Sequence, residues 1–183
     1  METYIILLRG INVSGKNKLP MADLKALCES LGFTNVKTYI QSGNVVMQYP
    51  NVESNSEISN MLTQAIAKKF SYEVESVVLT IQRLKTIIEE SPFLNIDNID
   101  LSRCYITYLQ TVPDMSRIEQ LETIEYNSDK MIFKNDVVYV YCPGGYGKTK
   151  FSNTFIESKL KVSATTRNWK TTNTLLELAG GRL

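Results

Sequence analysis

The stretch VKTYIQSGNVVMQY, residues 36–49, decides the fold. Two runs in it, 36–41 and 45–49, are rich in β-branched and aromatic residues, as strands are. The Ser-Gly-Asn sequence between them is typical of a hairpin turn. The stretch therefore predicts two antiparallel neighbours in a sheet, because parallel neighbours need a longer crossover connection.

The segments on both sides of this hairpin extend the pattern. A short apolar run over 4–9 predicts a strand, and Pro20 then opens a helix that Gly32 ends. The apolar face of that helix is formed by Met21, Leu24, Leu27, Cys28 and Leu31. After the hairpin, helical spacing over 56–70 precedes a strand over 73–79. The order βαββαβ is the ferredoxin-like, or split βαβ, pattern.

The second half of the chain partly repeats this order. A helix over 81–90 ends at Ser91-Pro92, and FLNIDNIDLS, residues 93–102, reads as a linker. A strand, a helix, two strands and further helical segments follow, at 104–109, 115–124, 130–134, 137–142 and beyond 151. We therefore expect an α+β protein of two ferredoxin-like lobes, 1–92 and a degenerate 93–183. Each lobe should have a mainly antiparallel sheet with helices on one face.

The composition excludes several kinds of chemistry. The chain of 183 residues contains no histidine, which removes Ser-His-Asp and Cys-His catalysis and the commonest metal ligand. Its three cysteines are odd in number and far apart, which suits reduced thiols in a cytoplasmic protein better than disulfides or a zinc site. No apolar run approaches the roughly 20 residues that cross a bilayer. We expect no metal, no cofactor and no membrane partner.

Charge is unevenly distributed along the chain. Residues 51–130 contain 13 acids and 7 bases, whereas residues 143–183 contain 7 bases and 2 acids. Arg9, Lys16 and Lys18 add a second basic segment near the start, with no acid between Thr3 and Ala22. This distribution indicates either a dipolar solvated surface or an anion-binding face.

Both basic segments contain a glycine-rich stretch that resembles a nucleotide-binding P-loop. The first reads G-x-x-x-x-G-K from Gly10 but has Asn17 where a magnesium-binding hydroxyl belongs. The second, CPGGYGKTKF from Cys142, has the Gly-Lys-Thr ending but lacks the first glycine. In neither stretch is a helix expected to start at the Gly-Lys pair. We therefore do not expect a P-loop NTPase, but glycine turns with lysines can still form a general anion-binding nest.

A third polar segment, TTRNWK, lies near the C-terminus. We expect a helix here with Trp169, Thr172, Leu176 and Ala179 on one face. Arg167 and Lys170 would lie in its first turn, where the helix dipole disfavours cations unless an anion or an acidic side chain lies opposite. An ion pair with the acidic middle of the chain explains the same pattern equally well.

Four separated segments of the chain resemble one bacterial family. LLRGINVSGKNKLPM, TYIQSGNVV, PGGYGKTKFSN and TTRNW are similar, in this order, to domain of unknown function 1697. The resemblance extends along nearly the whole chain and implies two ferredoxin-like lobes. It implies no activity.

These observations lead to one site hypothesis with two alternatives. We expect the polar segments to line a basic cleft between the lobes that binds a phosphate-bearing ligand, either a nucleotide or a nucleic-acid backbone. The alternatives are a metal-independent enzyme acting on an anionic substrate, with Lys16 or Lys148 stabilising charge, and a structural or self-associating protein. The candidate ligand-binding residues are Arg9, Gly10, Asn12, Gly15, Lys16, Asn17, Lys18, Gln41, Ser42, Asn44, Tyr146, Gly147, Lys148, Thr166, Arg167 and Asn168.

Overall fold

A computed structural model describes residues 1–13, 15, 17–50 and 54–183 of the chain. Its first strands and helices are β1 (Glu2–Leu8), α1 (Met21–Ser30), β2 (Thr34–Tyr39), β3 (Asn44–Tyr49), α2 (Asn55–Phe70), β4 (Ser76–Thr80) and α3 (Ile81–Glu89). The remaining ones are β5 (Cys104–Leu109), α4 (Met115–Glu122), β6 (Lys130–Lys134), β7 (Val137–Tyr141), α5 (Asn153–Leu160), β8 (Ala164–Asn168) and α6 (Trp169–Leu178).

The first sheet is fully antiparallel, with the strand order β2-β3-β1-β4. The hairpin predicted from residues 36–49 is present as the pair β2 and β3, in which Tyr39 is opposite Asn44. Alternate residues of β1, including Tyr4, Ile6 and Leu8, join α1 and α2 in one buried core. Ile5 and Leu7 point to the other face and are also buried, so both faces of this central strand are covered.

The second sheet repeats the arrangement, with the order β6-β7-β5-β8 and antiparallel pairing throughout. Its core on one face unites Val138, Val140 and Ala164 with residues of α4 and α5. The prediction of a βαββα unit followed only by helices was wrong in one respect. Residues 164–168 form β8, which pairs with β5 and completes a second βαββαβ unit.

The other face of the second sheet is covered by its own flanking segments. The Tyr139 hydroxyl donates to the Ile87 carbonyl at 2.7 Å, and the Tyr141 ring packs against Phe93 with centroids 5.9 Å apart. The Tyr108 hydroxyl lies 3.1 Å from the Thr172 hydroxyl of α6. These contacts bury the face through which a sheet of this kind would stack RNA bases on aromatic side chains.

The chain forms two compact units. The first comprises Met1–Lys85 together with Thr174–Leu183, and the second comprises Thr86–Asn173. An α+β fold of two lobes with antiparallel four-stranded sheets is thus confirmed. Within the described part of the chain, no helix has the length and apolar character needed to cross a membrane.

Candidate anion-binding loops

The Gly10 loop lies between β1 and α1 and comprises the described residues 9–13, 15 and 17–19. Four of its described residues have left-handed φ angles: Gly10 at 66°, Asn12 at 54°, Gly15 at 77° and Asn17 at 47°. Glycine and asparagine are the residues that adopt this region most readily, which explains their presence here. Both glycines are exposed, with no atom within 4 Å of where a Cβ would lie.

Asparagine side chains fix the shape of the Gly10 loop. Asn12 Nδ2 donates to the carbonyls of Leu19 at 2.9 Å and Gln41 at 2.8 Å, and its Oδ1 accepts from the Leu19 N–H at 2.8 Å. Asn17 Nδ2 donates to the Gly10 carbonyl at 3.1 Å. These two amides therefore hold the loop backbone. The bond to Gln41 also joins the loop to the neighbouring hairpin.

The Gln41 hairpin, residues 40–43, connects β2 to β3. Asn44 at its end is fully buried, and its Nδ2 donates to the Tyr39 carbonyl at 2.8 Å and to the Ser42 hydroxyl at 3.1 Å. Gly43 has a φ of 77° and its carbonyl accepts from the Leu8 N–H at 2.8 Å. The hairpin is therefore anchored on both sides, with Ser42 half-buried and Gln41 exposed.

The cations of the Gly10 loop differ in their surroundings. Lys18 is exposed, whereas Arg9 is half-buried and its backbone N–H donates to the Glu75 carbonyl at 2.9 Å. Lys16, a candidate ligand from the sequence, lies outside the described residues. The described loop thus presents the Lys18 ammonium group to solvent beside a backbone of fixed shape.

The Gly144 loop, residues 143–150, follows β7 in the second unit. Gly145, with a φ of 93°, precedes one turn of 3-10 helix, Tyr146–Lys148. Gly144, Gly147, Lys148 and Lys150 are all exposed.

Arg103 is an additional cation at the Gly144 loop. Its Nη1 lies 3.4 Å from where a Cβ on Gly145 would lie, and its carbonyl accepts from the Cys142 N–H. Its Nε lies 3.8 Å from the Asp100 carboxylate. Arg103 is not evident from the sequence because a strand, a helix and a hairpin separate it from the Gly144 loop along the chain. The pairing of β5 with β7 brings Arg103 next to this loop.

Tyr146 attaches the Gly144 loop to β8. Its hydroxyl donates to Thr166 Oγ1 at 3.2 Å, and Thr166 Oγ1 donates to Asn153 Oδ1 at 3.0 Å. Thr107 Oγ1 lies 2.8 Å from the same threonine oxygen. Burial raises the pKa of Tyr146, so its hydroxyl stays protonated and available as a donor at neutral pH.

Arg167 lies on the opposite face of β8 from Thr166 and Asn168, since successive strand residues alternate. The expectation of a helical first turn at Arg167 was wrong, because α6 begins only at Trp169. Arg167 is 6% exposed, and its guanidinium donates to the Thr165 hydroxyl at 2.7 Å and the Thr166 carbonyl at 2.9 Å. Burial lowers the pKa of Arg167 to about 10.

The structure brings the candidate segments together in two pairs. The Gly10 loop contacts the Gln41 hairpin in the first unit, and the Gly144 loop contacts Thr166 in the second. Neither loop has P-loop geometry, because α1 starts at Met21 and α5 at Asn153, several residues beyond each Gly-Lys pair. Among the described residues, no cluster of Cys, Asp and Glu could hold a metal ion.

Comparison with known proteins places the chain in a family. The family model described as Protein of unknown function (DUF1697) matches residues 1–139. The chain belongs to this family. No curated protein matches it.

A solved structure has the same fold as this DUF1697 protein. The conserved bacterial protein SP0830 from Streptococcus pneumoniae superposes with a TM-score of 0.76. The two share 22% sequence identity, and the match covers 97% of this chain and 98% of that chain. At this identity the likeness supports the fold, and the chemistry has to be argued from the loops themselves.

Proposed function

We propose that this DUF1697 protein binds a phosphate-bearing ligand at the Gly10 loop. The observation that carries the proposal is the way this loop is built. The amides of Asn12 and Asn17 bond backbone carbonyls of the loop and of the neighbouring hairpin, and Lys18 is exposed. Four of the described loop residues are left-handed. Left-handed residues in a glycine turn can direct backbone N–H groups toward an anion, and Lys18 adds a positive charge.

The covered sheet faces support a loop site. Ile5 and Leu7 in the first sheet and Tyr108 and Tyr139 in the second are each at most 1% exposed. A ligand therefore cannot lie flat on either sheet, as RNA does on related α+β sheets. The glycine loops at the ends of the strands offer exposed polar and basic residues instead.

The Gly144 loop is the second place where such a ligand fits. It combines exposed glycines with Lys148, Lys150 and the neighbouring Arg103. Its shape is held by Tyr146. We make the proposal for each loop separately, since each is complete within its own unit.

Titration of each loop separately tests this function. The probes are AMP, ribose 5-phosphate and a four-nucleotide RNA, in low and high salt, with and without EDTA. Lys18→Ala and Lys148→Ala should each weaken binding about three- to tenfold if their loop holds the phosphate, because one charge contact is lost. Lys69→Ala is the matched control, an exposed lysine on α2 away from both glycine loops in sequence.

Salt and metal dependence complete this test. Binding at the Gly10 loop should weaken as salt screens its lysine, and EDTA should have no effect, because Asn17 occupies the position where a P-loop has its magnesium-binding hydroxyl. Loss of binding in EDTA would show a metal-dependent site instead. Equal affinities for wild type, K18A and K148A in every condition would refute the proposal.

A structural role is the second candidate, and one observation favours it. The amides of Asn12, Asn17 and Asn44 are all bonded to other parts of the chain. If the loops only join strands to helices, no phosphate probe should bind the wild-type protein. Chemical change of a probe during titration would instead support the alternative of a metal-independent enzyme.

A further inference from the structure

Ile40, in the Gln41 hairpin, combines an unfavourable backbone with an exposed apolar side chain. Its φ is 48°, in the left-handed region that β-branched residues strongly avoid. Its side chain is nevertheless 48% exposed. Glycine or asparagine would satisfy the same backbone with less strain, so burial in the core does not explain an isoleucine here.

The surroundings of Ile40 hold it in this conformation. The amide of Asn44 bonds to the Tyr39 carbonyl, directly before Ile40, and the amide of Asn12 bonds to the Gln41 carbonyl directly after it. Hydrogen bonds to the residues before and after Ile40 thus hold its unfavourable backbone conformation in place. Strained residues held in this way are common at binding sites, where they position a side chain for a ligand.

A second exposed apolar side chain stands on the adjoining loop. Val13 is 58% exposed and directly follows Asn12, whose amide bonds to the hairpin. The exposed amide of Gln41 lies next to Ile40 in the chain. The two joined loops therefore carry two exposed apolar side chains, the exposed Gln41 amide with its donor and acceptor, and the exposed Lys18.

We propose that Ile40 and Val13 contact the base of a nucleoside phosphate whose phosphate is held by the Gly10 loop. This inference rests on the proposed function and specifies its ligand class. A nucleobase has apolar faces and a polar edge, which match the apolar side chains and the Gln41 amide. A sugar phosphate or inorganic phosphate offers no such surface.

Two substitutions at Ile40 test the inference. Ile40→Gly and Ile40→Asn both accept the left-handed backbone but remove the apolar side chain. Each should raise the Kd for AMP about tenfold, through lost apolar contact, and leave the Kd for ribose 5-phosphate unchanged. The melting temperature of I40G should rise by about 2–4 °C as strain is released.

Val112→Ala is the matched control for this test. It shortens another exposed apolar side chain, 70% exposed, which precedes α4 in the second unit. It should change neither the affinity for AMP nor the melting temperature. The four-nucleotide RNA distinguishes two ligands that both contain a base and a phosphate. If it binds more tightly than AMP, the ligand is a nucleic acid, and if it binds equally or more weakly, the ligand is a free nucleotide.

The outcomes separate this inference from the proposed function. If AMP and ribose 5-phosphate bind wild type equally and I40G changes neither, the phosphate site stands and the base contact is refuted. If I40G weakens both probes alike, Ile40 only shapes the loop, which also refutes it. If no phosphate-bearing probe binds the wild-type protein, both proposals fail.

Discussion

Gly43 lies where the Gln41 hairpin packs against Ile11 of the Gly10 loop and Leu8 of β1. A Cβ there would lie 2.6 Å from Ile11 Cδ1 and 2.7 Å from Leu8 Cβ, well inside van der Waals contact. Its φ of 77° would also be strained for any other residue. We therefore expect Gly43→Ala to lower the free energy of unfolding by about 2–4 kcal/mol, measured by urea denaturation.

Gly144→Ala is the control for G43A. Nothing lies within 4 Å of a Cβ at Gly144, and its backbone is not left-handed. The expected change is within about 0.5 kcal/mol. A G43A protein as stable as wild type would mean that the two loops can separate without cost, and the fixed geometry proposed for the site would be wrong.

At the same scale, the sequence points to the polar loops but does not say how their side chains are used. Asn12, Asn17 and Asn44 are candidate ligand residues from the sequence because they lie in its polar, glycine-containing segments. In the structure their amides bond backbone carbonyls. An asparagine amide can donate either to a ligand or to the chain's own backbone, and Asn12 and Asn17 also accept left-handed φ angles. The residue type alone therefore cannot tell a ligand-binding role from a structural one.

At the scale of single elements, β8 and the Gly144 loop depend on one another. Tyr146 in the loop donates to Thr166 of β8, and Thr166 in turn donates to Asn153 of α5. We expect Tyr146→Phe to lower the free energy of unfolding by about 1 kcal/mol, the contribution of one hydrogen bond. The loosened loop should also be cut faster by trypsin at Lys148 and Lys150.

Tyr105→Phe is the matched control for Y146F. The two rings pack together with centroids 4.6 Å apart, so Y105F removes a hydroxyl from the same aromatic pair. It should leave both stability and the trypsin rate close to wild type. If Y146F and Y105F behave alike, ring packing holds the loop and the bond to Thr166 contributes nothing measurable.

The sequence did not predict β8 because its residues, ATTRN, have no apolar alternation. Its buried positions are filled by Ala164, Thr165 and Arg167, two of which are polar. Its partner in the sheet is β5, more than 50 residues earlier. Such a strand forms because its polar side chains find partners, among them Thr107 for Thr166, and these partners are visible only in three dimensions.

At the scale of the whole molecule, the order of elements was predictable except for β8, and the sequence offers no signal for the unit to which the last ten residues belong. The hairpin at 36–49 was sufficient to indicate antiparallel sheets. Element order, however, does not say which core a C-terminal segment joins. Lys37 Nζ of β2 donates to the Leu178 carbonyl at 3.3 Å, and Leu176 packs beside Gly181 and Ile81 in the first unit.

This grouping and the sequence-based boundary after residue 92 make different predictions for Leu176. The sequence-based boundary places Leu176 in the second lobe, whereas the contacts within the structure group it with the first unit. Three buried cysteines can distinguish the two, because Cys28 belongs to the first unit and Cys104 and Cys142 to the second. Burial raises the pKa of Cys28 to about 12 and those of the other two to about 11, so folded thiols should react slowly.

Leu176→Ala, followed by thiol labelling at pH 8 across a urea series, is therefore the decisive measurement. Leu176 is 1% exposed, and its truncation leaves a cavity that should cost about 2–5 kcal/mol. We expect Cys28 to become reactive at lower urea in L176A than in wild type, while Cys104 and Cys142 keep their wild-type midpoints. A shift confined to Cys104 and Cys142 would support the boundary after residue 92. A shift of all three together would mean that the chain unfolds as one cooperative body, because loss of one core would then expose the thiols of both.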